Sequence, residues 1–216
     1  MYSFKIPGRA FSRFIEKKGS TGSNVNTVII DRLMGFFWLG VFPFVVLTLK
    51  AQDEIQIAGL FNLGSSGIWL IVFFLTLLIL VVNYFNAPRP SNLIVYPQIR
   101  DLVWSKGMVA GSALTWIIYL LGYEYAFRGI LLFACLASMP AETAVIINVL
   151  IYSLFHFQKG AKEAVGSIPF GILICYLVIE SHSIWPAVFL HIVLALSNEW
   201  FSIYFNPKIS IKTSQA

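Results

Sequence analysis

Apolar runs long enough to enter a bilayer as helices set the limits on how this chain can fold. They cover residues 33–49, 68–85, 108–139, 143–157, 165–179 and 184–205. A helix rises 1.5 Å per residue, so crossing a hydrocarbon core of roughly 30 Å takes about 20 predominantly apolar residues. The expected fold is therefore all-α, a polytopic transmembrane helix bundle with about six to seven membrane helices. Composition agrees. Charged residues make up 12% of the chain and hydrophobic ones 58%, with a mean hydropathy of +0.78, whereas a soluble domain carries roughly a quarter charged residues. Nineteen Phe, nine Tyr and six Trp suit lipid and its interfaces.

Three regions follow from this pattern. Residues 1–32 read as a cytoplasmic basic N-terminal segment, 33–205 as the transmembrane helical domain and 206–216 as a polar C-terminal tail. Lys5, Arg9, Arg13, Lys17, Lys18 and Arg32 precede any apolar run. That order excludes a cleavable secretory signal, whose hydrophobic core comes early. Residues 19–27, rich in Gly, Ser and Asn, read as a flexible linker, and residues 55–61 as a short interfacial helix. Two prolines in Asn86-Ala87-Pro88-Arg89-Pro90 stop the second helix. Residues 91–106 form an amphipathic, non-spanning stretch that places Trp104 at the headgroup boundary.

The net charge of +5 is not a nucleic-acid signal, because the basic residues flank hydrophobic runs, where topology explains them. Residues 108–139 make a helix of about 48 Å, which is either a hairpin turning at Gly122 or one long tilted crossing. With a cytoplasmic N-terminus and a single crossing there, thirteen of the fifteen Lys and Arg fall inside. The expectation is six crossings, both termini cytoplasmic, in a multi-pass protein of the cell membrane. No internal repeat is visible, which disfavours a transporter built from two related halves. Cys135 and Cys175 lie in apolar stretches and read as small buried hydrophobes rather than a disulfide or metal site.

Against this background a few ionisable residues stand out. Glu124 and Arg128 interrupt the third run, His156 ends the fourth and His191 lies inside the last. A charge in hydrocarbon costs several kcal/mol, so such groups normally face a protein interior and act there. Glu124 and Arg128, four apart with the acid first, share a helix face and can pair. A packing ion pair and a direct chemical role both fit these two residues. Imidazoles on two different helices beside a carboxylate can bind metal or orient water, with the carboxylate as general base. His182, in the short turn 180–183, reads as a loop residue.

Three segments carry a resemblance. Tyr123-Glu-Tyr-Ala-Phe-Arg-Gly129, Tyr152-Ser-Leu-Phe-His156 and Ser183-Ile-Trp-Pro-Ala-Val-Phe-Leu-His191 resemble the signature segments of the CPBP family. That family comprises type II CAAX prenyl endopeptidases and bacteriocin-processing or self-immunity proteins. Its pattern is Glu-Glu-x-x-x-Arg, then Phe-x-x-x-His, then His-x-x-x-Asn, and the resemblance spans about residues 90–205. It implies an intramembrane endopeptidase site formed by Glu124, Arg128, His156 and His191. His156 and His191 would hold water or a divalent metal such as zinc. The implied partners are membrane lipid and either a peptide or prenylated-peptide substrate or a membrane protein partner.

The departures are as specific as the match. Tyr123 stands at the first glutamate, which in the family activates the attacking water, and Ala195 stands at the asparagine; Tyr152 replaces Phe. A tyrosine hydroxyl, with an ordinary pKa near 10, is a poor base at neutral pH. Asn198 returns to the face of His191 but about 10.5 Å further along the helix, too far to replace Ala195. Two readings follow: an endopeptidase in which Glu124 takes over as base, and a catalytically inactive member that binds a membrane or cell-envelope partner, a peptide or a lipid.

Overall fold

The computed structural model describes residues 24–50, 59–157 and 160–212. Seven helices and two short strands appear among them. Helix α1 runs over Val25–Leu49, α2 over Ser66–Asn86, the short α3 over Pro90–Leu93 and α4 over Lys106–Leu136. Then follow α5 (Ala141–His156), α6 (Ala161–Ser181) and α7 (Trp185–Phe205), with β1 at Val103–Ser105 and β2 at Ser210–Lys212. The protein is an all-α multi-pass membrane bundle.

Five helices, α1, α2, α4, α6 and α7, are long and apolar enough to cross a membrane, one or two fewer than expected. The difference lies in α5. Its 16 residues extend about 24 Å at 1.5 Å per residue, short of a full hydrocarbon core. The choice for residues 108–139 resolves to one helix: α4 continues through Gly122 without turning back. Gly122 serves contact instead. A Cβ there would meet the Phe36 ring at 2.9 Å and the Gly40 backbone nitrogen at 3.2 Å, so the two glycines let α1 and α4 pack backbone to backbone. Each of these helices also carries a π-helical segment, Phe37–Val41 in α1 and Tyr125–Leu131 in α4.

The main core joins α2, α4, α5, α6 and α7 through Val72, Leu132, Val149, Ile174, Val178 and Leu190. Outside it, α2 turns Leu70, Phe74, Leu78 and Phe85 outward, the lipid-facing surface that a membrane helix needs. Pro169 lies within α6, tolerated where neighbouring helices cover the freed backbone group. Both cysteines are free, as expected; Cys175 is buried and donates to Asn148 Oδ1 at 3.2 Å.

Three expectations are corrected. Helix α1 begins at Val25 rather than near Leu33, and Arg32 is buried inside the bundle instead of ending a solvated tail. Its Nη1 donates to the Ser112 carbonyl and hydroxyl, both at 2.9 Å, and its Nη2 reaches Gln98 at 3.1 Å and Glu199 Oε2 at 3.2 Å. Trp116 Nε1 donates to the same Glu199 oxygen at 2.7 Å, and Ser112 donates to Glu199 Oε1. The guanidinium is thus satisfied by groups from other segments that a solvated tail would never meet. Trp104, expected at a headgroup boundary, is fully buried against Ile99, Val28 and Ile203, its indole N–H bonded to the Asp101 carbonyl at 2.9 Å. The polar tail contributes β2, which pairs in parallel with β1 (Trp104 opposite Ile211). Residues 1–23, and most of the expected interfacial helix at 55–61, lie outside the described residues.

Candidate functional site

Helix α4 sets the centre of the site. Glu124 closes its α-helical part and Arg128 lies in the π-helical segment that follows. Both are fully buried, and Arg128 Nη1 lies 3.2 Å from Glu124 Oε2. The carboxylate has a second partner on α7: His191 Nδ1 is 2.5 Å from Glu124 Oε1. Arg128 also stacks over the Tyr152 ring at 4.1 Å, a cation–π contact that offsets part of the cost of burying it. Asn148 of α5 donates to the Phe127 carbonyl at 2.6 Å, tying the π-helical segment to α5.

His156 sits at the end of α5, half-buried, with Nδ1 3.0 Å from the Tyr152 carbonyl. That carbonyl only accepts, so Nδ1 carries the proton and the neutral tautomer is fixed. The two imidazoles lie nearly parallel, their centroids 6.4 Å apart. Tyr123 meets both edge-on, at 6.2 Å from His156 and 5.7 Å from His191. Both imidazoles and Tyr123 border one cavity of about 480 Å³, with Ala195, Asn198 and Glu163 also in its wall. Glu124 and Arg128 do not border it; they sit behind His191. His182 lies outside this group, exposed, as the left-handed C-cap of α6.

Helices α4, α5 and α7 therefore bring the four expected residues into one neighbourhood, in two layers. The imidazoles and Tyr123 face the cavity, and the Glu–Arg pair supports His191 from behind. Glu163, Tyr96 and Trp116 were not singled out from the sequence. Only Glu163 carried a usable signal, as an acid beginning an apolar helix. Asn198 does reach the cavity, as its return to the His191 face implied.

Residues 102–197 match the family model for type II CAAX prenyl endopeptidase Rce1-like proteins. The chain belongs to this CAAX-protease-type family. No curated protein and no solved structure matches it. The matched segment takes in the Glu124–Arg128 pair and both histidines, so the three signature segments and the cavity they line are the family's shared part of this CAAX-protease-like protein. Helices α1 and α2, Arg32 and Glu199 fall outside it.

The residues present do not fit a catalytic metal. Among the described residues no three His, Cys, Asp or Glu side chains gather to hold one. Catalytic zinc takes three protein ligands; His156 and His191 supply two, and Glu124, the nearest acid, already faces Arg128 and His191.

Tyr123 supplies a direct probe of this wall. Its ring is buried, yet its hydroxyl has no hydrogen-bond partner. A buried polar group left unpaired costs about 1–3 kcal/mol. Tyr123→Phe should therefore leave the thermal unfolding midpoint unchanged or raise it; a clear fall would show that the hydroxyl holds a stabilising bond.

Proposed function

We propose that this CAAX-protease-like protein uses its cavity to receive a peptide, lipid or membrane partner rather than to hydrolyse it by the family's route. One observation carries this reading. The only carboxylate of the conserved pair, Glu124, is engaged by Arg128 and His191 and does not border the cavity. The position that would aim a base at water carries Tyr123, and Ala195 lines the cavity where the family pattern has asparagine. Water attack on an amide needs both a base and a group to stabilise the oxyanion, and both side chains are replaced. The cavity itself is retained, with aromatic walls fit for an apolar ligand.

A second reading has its own support. A carboxylate holding Nδ1 of a histidine raises the basicity of the imidazole, as in catalytic His–acid pairs. The 2.5 Å contact from Glu124 to His191 would make His191, not Glu124, the base of an endopeptidase. A divalent metal such as zinc would find two imidazole ligands there and still need a third.

Hydrolysis separates the two. Purified protein is incubated with prenylated and unmodified peptides, with and without zinc, and products are read by mass spectrometry. The binding reading expects saturable binding and no product, from wild type or from His156→Ala. Product that requires added metal and disappears in His156→Ala would overturn it.

A further inference from the structure

The cavity wall is electrically unbalanced. The two acids buried beside it each have a cation at 3.2 Å: Arg128 for Glu124 and Arg32 for Glu199. Glu163, in the first turn of α6, borders the cavity half-buried and has no cationic partner among the described residues. Its field reaches the other side: burial first, and then the negative charge of Glu163, push the Tyr96 hydroxyl up from its ordinary pKa. Rings from several elements line the same space, among them Tyr96, Trp116, Tyr119, Tyr152 and Phe170. Aromatic faces carry negative charge and attract cations, more strongly where water is excluded. An anion entering here meets Glu163 uncompensated, and a neutral ligand leaves its charge unanswered.

We propose that the cavity selects a ligand carrying an organic cation, an ammonium group held between the Glu163 carboxylate and the aromatic wall. This rests on the cavity being a binding site, and it adds the charge of what is bound. Two sources present such a group in a membrane, a basic peptide side chain and an amine lipid headgroup.

The test uses full-length protein in maltoside micelles and two matched pairs of probes. One pair is an apolar lysine-bearing peptide and its Nε-acetylated form. The other is a lysophosphatidylethanolamine and its N-acetylated form. Binding is read by tryptophan fluorescence and native mass spectrometry. In at least one pair the amine form should bind at least tenfold more tightly, and the pair that shows it identifies the source. Glu163→Gln should abolish the preference without moving the unfolding midpoint, since Glu163 is half-exposed. Equal binding of both members in both pairs by wild type overturns the proposal, as does a preference that survives in a folded Glu163→Gln. The wild-type comparison stands even if the variant does not fold. Peptide cleavage in the same samples would count against the non-hydrolytic reading and leave the charge preference to be judged separately.

Discussion

Arg128→Met is expected to destabilise the protein by about 3–5 kcal/mol, the range for removing one member of a buried ion pair. The loss arises because Glu124 remains ionisable, fully buried and facing hydrocarbon-like surroundings with only His191 against it. Methionine also loses the stacking on Tyr152. The size of the effect depends on the charge left behind rather than on the lost contact alone. Glu124→Gln in the same chain removes that charge while keeping an oxygen for His191 Nδ1, so the double variant should recover much of the stability. Thermal or denaturant unfolding of the two single variants and the double gives the coupling. Strong non-additivity is expected; simple addition of the two losses would mean that the pair is not coupled.

Arg32→Met should have a comparable effect, for a related reason. Helix α1 buries few of its residues, so its polar attachment matters more than its apolar one. Arg32 joins α1 to Ser112 and Thr115 of α4, to Gln98 and to Glu199 of α7. Methionine would leave Glu199 buried with only the Ser112 hydroxyl and the Trp116 N–H as donors, at a cost of about 3 kcal/mol or more. Lysine keeps the charge but cannot fork to four acceptors, so Arg32→Lys should fall between the two. Limited proteolysis should cut α1 of Arg32→Met first. Wild-type protection of α1 in that variant would show that apolar packing alone holds the helix.

The contrast between these two ion pairs shows what the sequence could and could not reveal. Glu124 and Arg128 are four apart on one helix, so their pairing follows from helical geometry and needs no knowledge of the fold. Arg32 and Glu199 pair across the bundle, and nothing local connects them. Arg32 closes a run of basic residues that topology rules place in water. Glu199 sits in an apolar run and was legible by the same reasoning that picked out Glu124. The helical spans were readable because hydrocarbon sets their length and composition, and most ends fell within a few residues. The shortness of α5, the π-helical segments and the burial of Trp104 were not readable, since each depends on what packs alongside. Family resemblance located His156 and His191, yet only the fold shows that Glu124 turns to His191 rather than to the cavity.

The central claim is that Tyr123 and Ala195, by replacing a base and an asparagine in the cavity wall, leave a receptor in place of a hydrolase. The most direct measurement compares wild type with the double variant Tyr123→Glu/Ala195→Asn, in the same bilayers and on the same prenylated and unmodified peptides, with product counted by mass spectrometry. Cleavage by the double variant and none by wild type is the expected result. Cleavage by wild type at a rate equal to or above that of the variant would contradict it.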